Sequence, residues 1–348
     1  MKLSDFSYEY PKELIAQHPL KDRDSSRMMV LNRSQDSLEH SKISNIVDFL
    51  NEGDLLIVND SKVVPARLFG RRRNGEEIEL LVVEPKQGMT NTWRCLLKKA
   101  KRINKNEKFF FGMQATAKSL GRDDIYLLME FKGNSLDLAM KHHGVPPLPP
   151  YIEREGFEAY SNEDRQRYQT VYANRAGSAA APTAGLHFGE NLMERIESAG
   201  IEIQRVTLHV GIDTFAPVRV DDVKDHRMHG EKVEISEDVA KSISNAKAEG
   251  RRIIAVGTTT TRALESAAIN ANEHGSLKPG KWTTDIFITP GFEFKLVNAM
   301  VTNFHQPRST LLMMVSAFAG RDFILKSYGE AISERYRLFS YGDCMLIL

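Results

Sequence analysis

The chain has 348 residues, with 47 Lys and Arg against 46 Asp and Glu, 41% hydrophobic residues and 27% charged residues. This composition is typical of a globular protein with one or two domains. Two distant cysteines, Cys95 and Cys344, exclude a disulfide scaffold and give no zinc-ligand spacing. The polar N-terminus and the short apolar run from Leu311 indicate neither a signal peptide nor a membrane span. We therefore expect a cytoplasmic protein without membrane contact or a bound metal.

The first predicted element is a short buried strand at 54–59, and antiparallel strands with Gly-containing turns follow it. Asn74-Gly75 between two alternating runs predicts a two-residue hairpin. Roughly five such strands in about 75 residues, before the proline-rich segment 142–152, indicate a small barrel or sandwich. We expect this β-domain, 61–150, to be inserted into a larger domain made of 1–60 and 151–348.

The predicted insertion is basic. Residues 61–110 carry 13 Lys and Arg against 5 Glu, a net charge of +8, which leaves −7 for the rest of the chain. A basic module on an otherwise acidic protein favours contact with phosphate groups. Positive side chains at strand edges also prevent aggregation, so nucleic-acid binding and a solubility role both stay open.

Beyond residue 161 strands alternate with helices, which predicts an α/β domain with a mixed or largely parallel sheet. The predicted strands are 201–209, 251–257 and 294–304. The predicted helices are 161–169, 189–200, 236–250, 258–275, 308–320 and 322–336.

The ends of these strands carry polar side chains. In α/β architectures ligands sit beyond the carboxyl ends of the strands. The three strands end at His209, at Gly257 and close to Asn303. We therefore expect these ends to bring His209, Asn303, His305, Arg262 and the threonines after Gly257 to one edge of the sheet.

Segment 176–185 consists almost entirely of Ala, Gly, Ser, Pro and Thr. Such a run is typical where backbone approaches a ligand or another backbone closely. His187 follows at a predicted helix start, where the helix dipole disfavours the imidazolium form. A neutral His can act as a general base. Tight helix packing with a capping His explains the same residues, so both interpretations stay open at this point.

Gly257, four threonines and Arg262 follow one predicted strand. A helix N-terminus at this point offers backbone N–H groups to an anion, and Arg262 could add a bidentate clamp. The spacing matches neither a P-loop nor a dinucleotide fingerprint. The alternative is helix capping by Thr, with Glu265 and Arg262 as an exposed pair. His226, His229 and Glu231 form only a weak metal candidate, because no third ligand strand is evident.

Long stretches of the chain resemble one family, the S-adenosylmethionine:tRNA ribosyltransferase-isomerases of queuosine biosynthesis. The matching strings include IVNDSKVVPARLFG, QTVYANRAGSAAAPTAGLHF, VTLHVGIDTFAPV, AVGTTTTRALES and VTNFHQPRSTLLMMVSAFAG, and the resemblance runs almost end to end. Asp213, Leu338 and Cys344 depart from the family pattern, which has Gly, an aromatic residue and Ala there.

The resemblance implies an enzyme that transfers and isomerises the ribosyl part of S-adenosylmethionine. The acceptor would be 7-aminomethyl-7-deazaguanine at the tRNA wobble position, and the products epoxyqueuosine-tRNA, adenine and methionine. It also implies a large α/β domain of distorted barrel type that is interrupted by a small β-barrel. We expect a monomer whose partners are tRNA and S-adenosylmethionine, with no metal.

Candidate roles follow from this resemblance. A sulfonium acidifies the adjacent C5′ hydrogens, so His187 and His209 are candidates for a neutral base. His305 and Asn303 are candidates for a proton donor or hydrogen-bond donor to the leaving adenine. Arg262 and the threonine turn would hold the methionine carboxylate, Glu265 or Asp285 its ammonium group. The residues expected to bind S-adenosylmethionine are Thr258, Thr259, Thr260, Arg262, Glu265, Asp285, Tyr172, Thr183, Gly185 and Phe215, with Tyr172 and Phe215 stacking on a base.

Basic residues of the inserted domain would meet tRNA phosphates, with binding that weakens as salt rises. They are Arg67, Arg71, Arg72, Arg73, Lys98, Lys99, Lys101 and Arg102. Two alternatives remain: an RNA-binding protein whose α/β domain is structural, and an ordinary S-adenosylmethionine-dependent tRNA methyltransferase.

Overall fold

The structure, a computed structural model, describes residues 1–98, 103–211, 218, 220–271 and 276–348. The N-terminal part contains the strands β1 (Arg27–Asn32), β2 (Ser37–Lys42), β3 (Leu55–Asn59) and β4 (Ser61–Val63). Strand β3 confirms the prediction at 54–59, and all of its residues are buried. The antiparallel pair of β1 and β2 is an addition to the predicted elements.

The next segment forms a closed antiparallel barrel. Its elements are β5 (Arg67–Arg72), β6 (Glu77–Pro85), β7 (Thr92–Lys98), β8 (Lys108–Phe111), β9 (Ala115–Asp123), β10 (Tyr126–Phe131), α1 (Ser135–His143) and β11 (Gly144–Val145). Strand β5 pairs with both β6 and β8, so the described strands β5 to β10 close into a ring. The predicted hairpin at Asn74-Gly75 is present, with Arg71 opposite Glu77, but the predicted two-residue turn is wrong, because Arg72 N–H donates to Glu76 O at 2.8 Å and residues 73–75 form the loop.

The remaining elements alternate between helix and strand, as predicted. They are α2 (Asn162–Arg167), β12 (Arg175–Ser178), α3 (Glu190–Ser198), β13 (Glu202–His209), β14 (Glu231–Ile235), α4 (Glu237–Ala248), β15 (Ile253–Val256), α5 (Thr258–Ile269), β16 (Gly280–Thr284), β17 (Ala299–Asn303), α6 (Thr310–Ala319), α7 (Arg321–Ser333) and β18 (Cys344–Ile347). Each helix and strand predicted here is present, with shorter bounds. The end of the predicted helix 258–275 lies outside the described residues.

The large sheet is mixed, which confirms the predicted fold class. Among the described residues its strand order is β16-β14-β13-β3-β15-β17-β18-β1-β2. Strands β13, β3, β15 and β17 run parallel to one another. Strand β14 is antiparallel to β13, β18 to β17, and β2 to β1. Parallel neighbours end at the same edge, so His209, Asn59, Val256 and Asn303 lie along one side of the sheet.

Both faces of this sheet are covered. Alternate residues of β3 pack into two different apolar clusters, Leu55 and Ile57 into one and Leu56 and Val58 into the other. Helices α4 to α7 contribute to the first cluster and α3 to the second. A strand that is buried on both faces reads as a continuous apolar run, which is why β3 could be predicted. No helix within the described ranges is long and apolar enough to span a bilayer.

The barrel has an apolar core of its own, built from residues between Val64 and Met140. Strand β4 pairs with β12, however, so residues 61–63 associate with the larger part of the chain. The proline-rich segment after β11 is buried from Pro146 to Pro149. The division into 1–60 with 151–348 and 61–150 stays a prediction, with its first boundary close to Val64.

Candidate functional site

A pocket lies at the carboxyl edge of the parallel strands. One wall is formed by 181–184 of the small-residue segment and the opposite wall by 257–259 at the start of α5. Thr302, Asn303 and His305 form its floor, at and just beyond the end of β17. Small side chains in the first wall let the backbone stand close to α5, because a longer side chain there would fill the space. We call this space the strand-end pocket.

His187 and Asn303 are joined by a buried hydrogen bond. Asn303 Nδ2 lies 3.0 Å from His187 Nε2, and His187 Nδ1 lies 2.9 Å from Ser26 Oγ. Asn303 Nδ2 also faces the carbonyl oxygens of Phe339 and Asp343, at 3.1 and 3.5 Å. An amide nitrogen among three acceptors must be the donor, so His187 Nε2 accepts and Nδ1 carries the proton.

This orientation leaves Asn303 Oδ1 without a partner. Asn303 is 2% exposed, and its Oδ1 atom accepts no hydrogen bond from the described residues. A buried carbonyl oxygen without a donor costs about 1–3 kcal/mol. Since Asn303 lines the strand-end pocket, a ligand N–H or O–H group in that pocket could satisfy it.

His305 lines the same pocket. Its Nε2 lies 2.8 Å from Thr302 Oγ1, and that hydroxyl has the Asn303 carbonyl as an acceptor at 3.4 Å. If the hydroxyl donates to the carbonyl, it accepts from Nε2–H, which leaves His305 Nδ1 unprotonated. The backbone N–H of His305 donates to Tyr328 Oη at 2.9 Å. Thr302 thus holds the ring, and Tyr328 holds the backbone of His305.

Both imidazoles are neutral near pH 7. Burial lowers the pKa of His305 to about 3. Burial, and then the positive charges of Arg337 and Arg23, lower the pKa of His187 to about 3. The expected helix-dipole cause is wrong, because His187 ends the 3-10 turn Thr183–His187 and α3 begins only at Glu190.

The start of α5 presents only part of the threonine cluster to the pocket. Thr258 and Thr259 line it. The hydroxyl of Thr260 donates to Val256 O at 2.6 Å, and that of Thr261 donates to Gly257 O at 3.2 Å. The expected contact of Thr260 with S-adenosylmethionine stays a prediction, and its hydroxyl is engaged within the helix. The N-cap is Gly257, which has no capping side chain, so the first backbone N–H groups of α5 remain available to a ligand.

Arg262 does not point to a free anion site. It is 3% exposed and forms an ion pair with the equally buried Glu231. Its Nε also donates to Ile286 O at 3.3 Å. The exposed pair with Glu265 is wrong, because both side chains are buried. The role of Arg262 as a methionine carboxylate clamp stays a prediction. Within the described ranges no group of His, Cys, Asp or Glu is arranged to hold a metal ion.

Neither expected ligand of the methionine ammonium lines the strand-end pocket. Glu265 is fully buried, and its carboxylate accepts the N–H groups of Lys295, Leu296 and Val297 at 2.8–3.1 Å. It therefore fixes the chain that leads into β17. Asp285 is exposed after the end of β16.

Two glycines of the small-residue segment pack against protein side chains. A Cβ at Gly185 would overlap Tyr172 Oη, and one at Gly177 would come within 3.0 Å of the His209 ring. Tyr172 is 6% exposed and belongs to the second core cluster, and its stacking on a base stays a prediction. Thr183 and Ala184 border the pocket itself.

His209 lies beside the pocket and does not line it. Its neighbour Val210 does so. Burial and Lys232 lower the pKa of His209, while Asp60 and Glu234 raise it. The ring is only half-buried, and its Nδ1 has no partner among the described residues. Of the four residues expected to be catalytic, the fold brings His187, Asn303 and His305 together. His209 lies outside the pocket, next to the lining residue Val210.

Most of the described basic residues of the barrel are already paired. Arg67 and Lys98 contact Glu79, Arg72 contacts Glu76 and Glu107, and Arg71 contacts Glu77. Arg71, Arg73 and Lys98 are exposed, whereas Arg67 and Arg72 are largely covered. Lys99, Lys101 and Arg102 lie outside the described residues, as do Phe215 and Asp213.

The sequence patterns missed the residues that position this site. Asn59 Nδ2 donates to Leu208 O at 3.0 Å and to Thr259 Oγ1 at 3.3 Å, so it ties β3 to β13 and α5. Ser26 holds His187. The signal for Asn59 is a polar residue at the end of an otherwise apolar strand. Ser26 has no such local signal, because it meets His187 only through tertiary packing.

These features define a mixed α/β protein with a closed antiparallel barrel and a pocket at the strand ends of its large sheet. The chain belongs to a family described as queuosine biosynthesis protein, whose family model matches residues 3–347. It is 47% identical to the S-adenosylmethionine:tRNA ribosyltransferase-isomerase of Syntrophotalea carbinolica and 48% identical to that of Halothermothrix orenii. Both alignments cover 100% of each chain. The crystal structure of S-adenosylmethionine tRNA ribosyltransferase from Thermotoga maritima matches with a TM-score of 0.56 at 36% identity, covering 99% of this chain and 100% of that one.

Glu265→Gln tests the structural role of this buried carboxylate. The amide would place N–H groups against backbone N–H groups, so we expect a loss of about 2–3 kcal/mol in the free energy of unfolding. The affinity for S-adenosylmethionine, measured by calorimetry on the folded variant, should not change. Glu194→Gln on the exposed face of α3 is the matched control. A variant that stays stable but loses that affinity would contradict the structural role.

The two neutral imidazoles predict a loss of stability in acid. Their folded-state pKa values, about 3 for both His187 and His305, lie below the unfolded value of about 6.5. The unfolded chain therefore binds more protons between pH 6.5 and 3. The free energy of unfolding should fall through this window by up to about 1.4 kcal/mol per pH unit for each imidazole. Urea unfolding at several pH values measures this slope.

His305→Gln should reduce this slope by up to about 1.4 kcal/mol per pH unit, the contribution of one proton. The same substitution at the exposed His142 should leave it as in the unchanged protein. Equal slopes in all three proteins would show that burial of His305 does not contribute to acid sensitivity.

Proposed function

We propose that the protein catalyses transfer and isomerisation of the ribosyl group of S-adenosylmethionine onto 7-aminomethyl-7-deazaguanine at the tRNA wobble position. The products are epoxyqueuosine-tRNA, adenine and methionine. The observation that carries this proposal is the full-length similarity to relatives named for this activity. The pocket with its neutral imidazoles supports it, because the reaction begins with removal of a proton.

The strand-end pocket is the proposed site for S-adenosylmethionine. The start of α5 offers unsatisfied backbone N–H groups and the positive end of the helix dipole. These groups suit an anion, either the methionine carboxylate or the adenine that leaves with the electron pair of its glycosidic bond. Thr258 and Thr259 border this position. Asn303 Oδ1 is proposed to accept a hydrogen bond from a hydroxyl or amino group of the nucleoside.

His305 is the best candidate for the base that removes the C5′ proton. It lines the pocket, it is neutral, and its Nδ1 is the nitrogen left unprotonated in the arrangement with Thr302. Both nitrogens of His187 are occupied by Asn303 and Ser26. His187 is therefore proposed as a positioning residue, which fixes the Asn303 amide so that Oδ1 faces the pocket.

The barrel is proposed to assist tRNA binding through its exposed basic residues, Arg71, Arg73 and Lys98. Arg67 and Arg72 are less suited to phosphate contact, because both are covered and paired with glutamates. The monomeric state and the cytoplasmic location expected from the sequence belong to this proposal. S-adenosylmethionine is a co-substrate in it, with no metal taking part.

Replacement of His305 tests the assigned base. His305→Ala should slow adenine release on the order of 10²–10⁴-fold, the usual contribution of a general base. The assay incubates labelled S-adenosylmethionine with tRNA that carries the deazaguanine base and measures free adenine by chromatography. His209→Ala is the control outside the pocket and should retain near-normal turnover. Equal loss in both folded variants would contradict the assignment.

The same assay separates the alternatives. A methyltransferase would form S-adenosylhomocysteine in place of adenine and methionine. An RNA-binding protein without this activity would bind the tRNA and release neither product. Either result with the unchanged protein would overturn the proposed reaction.

Charge reversal in the barrel tests its role in tRNA binding. Arg71→Glu with Arg73→Glu should weaken tRNA binding and lower the slope of log affinity against log salt by about 1–2, since each lost phosphate contact removes about one. Reversal of the exposed Arg195 on α3 is the control. Unchanged affinity and slope would mean that the basic hairpin serves solubility alone.

A further inference from the structure

A second pocket lies on the other side of His187. His187 lines this second pocket, while its hydrogen-bond partner Asn303 lines the strand-end pocket. One buried hydrogen bond of 3.0 Å therefore stands between the two spaces. The second pocket is bordered by Arg23, Arg167 and Tyr341. We call it the arginine pocket.

The arginines around this pocket are held by main-chain carbonyls. Arg23 donates to Gln169 O at 2.8 Å and to Leu186 O at 3.2 Å, and Arg167 donates to Lys21 O at 2.8 Å. Arg337, whose charge acts on His187 from the same side, donates to His18 O. Carbonyl groups orient a guanidinium but leave its net charge in place. In the described part of the chain none of the three forms an ion pair with a carboxylate.

The nearby carboxylates offset only part of this charge, because Asp343 acts on Arg337 and Asp164 is already paired. Asp343 accepts the backbone N–H groups of Arg27 and Arg337, at 2.9 and 2.8 Å. Asp164 is held by Arg154 through two contacts of 2.9 and 3.0 Å. Asp22 lines the pocket but is exposed to solvent. Of the charged residues that line the pocket, Arg23 and Arg167 are basic and only Asp22 is acidic, so the lining has a formal charge of +1, whereas Arg67, Arg71 and Arg72 of the barrel are paired with glutamates.

Several donors at this pocket have no partner. Tyr341 is 4% exposed, and its hydroxyl makes no hydrogen bond to the described residues. Arg167 Nε and Arg337 Nη1 are likewise buried and unpartnered among these residues. Burial raises the pKa of Tyr341, so the phenol stays a hydrogen-bond donor. Buried donors without acceptors are costly unless a ligand satisfies them.

We propose that the arginine pocket is an oxyanion subsite that binds a backbone phosphodiester of the RNA substrate. Guanidinium groups and a phenol hydroxyl match the several acceptor oxygens of a phosphodiester. This inference rests on the proposed function, since it takes RNA as the substrate. A phosphate held here would anchor the chain of the RNA beside the His187–Asn303 bond, with the strand-end pocket on its other side.

The other source of an oxyanion is the carboxylate of S-adenosylmethionine. The carboxylate is part of the same molecule as the nucleoside, for which the strand-end pocket already offers the start of α5. A phosphodiester has no comparable site there. Charge and position therefore favour the RNA, and binding measurements can distinguish the two.

Tyr341→Phe is the sharpest test. It removes a hydroxyl that makes no hydrogen bond within the described protein and keeps the ring that packs edge-on against Tyr168 at 5.9 Å. Tyr168→Phe is the matched control, because Tyr168 belongs to the same aromatic pair and does not line the pocket. Arg167→Gln removes a charge, and Arg167→Lys restores it. Two dissociation constants are measured without turnover: that of labelled tRNA carrying the deazaguanine base by fluorescence anisotropy, at several salt concentrations, and that of S-adenosylmethionine by calorimetry.

We expect Tyr341→Phe and Arg167→Gln each to raise the dissociation constant of the tRNA on the order of tenfold. Arg167→Gln should also lower the salt slope by about one, with recovery of the slope in Arg167→Lys. The affinity for S-adenosylmethionine should stay constant, and Tyr168→Phe should change neither constant. If Arg167→Gln fails to fold, Tyr341→Phe decides the question.

A weaker affinity for S-adenosylmethionine with unchanged tRNA binding would assign the pocket to the methionine carboxylate and overturn the proposal. Unchanged constants for both ligands in Tyr341→Phe would overturn it as well. Because binding is measured without turnover, a protein that binds tRNA but releases no adenine would contradict the proposed reaction and leave the subsite standing.

Discussion

The hydrogen bond between His187 Nε2 and Asn303 Nδ2 is the interaction on which the site depends. It joins the end of the small-residue segment to the end of β17, two parts of the chain that are 116 residues apart. Ser26 holds the far side of the imidazole, and the carbonyl groups of Phe339 and Asp343 hold the far side of the amide. With its nitrogen engaged in this way, the Asn303 amide has its oxygen without a partner among the described residues, in a residue that lines the strand-end pocket.

Burial then determines the chemistry of the site. His187 and His305 are kept neutral mainly because water does not reach them to stabilise the charged form. The same exclusion of water makes every unsatisfied polar atom costly, so Asn303 Oδ1 and the Tyr341 hydroxyl are informative. They lie in two pockets on opposite sides of one hydrogen bond. A reaction that transfers the ribosyl group of a nucleoside to an RNA base, with release of adenine, brings two substrates together, and two neighbouring pockets suit it.

The charged residues fall into two groups: those that are paired within the protein and stabilise the fold, and those that remain available to bind a ligand. Glu265 and Arg262 resemble ligand-binding residues in the sequence, yet one caps three backbone amides and the other is neutralised by Glu231. The barrel has a large positive excess in its sequence, but many of its basic groups contact glutamates on neighbouring strands. By contrast, Arg23 and Arg167 at the arginine pocket form no ion pair with a carboxylate of the described residues. The net charge of a sequence segment therefore did not predict where arginines without a carboxylate partner would lie in the fold.

Local sequence determined the elements and their order. The apolar run of β3, the Asn74-Gly75 turn and the Ser236 cap of α4 are signals that act over a few residues, and they were sufficient to predict the barrel and the α/β alternation. The resemblance of long motifs to one family determined the family. The convergence of Asn303 and His305 with His187 could be predicted because parallel strands end at a common edge.

Tertiary structure alone decided which of these side chains are free. Pairing of Arg262 with Glu231, of Glu265 with the chain before β17, and of Tyr172 with Gly185 each joins segments that are distant in sequence or hidden from local patterns. The periodicity of a sequence does not encode such contacts, because they form only when the elements pack together and each polar group finds its hydrogen-bond partner. For the same reason the sequence named the histidines of the site, and only the fold showed that both nitrogens of His187 are occupied and that His305 lines the pocket while His209 does not.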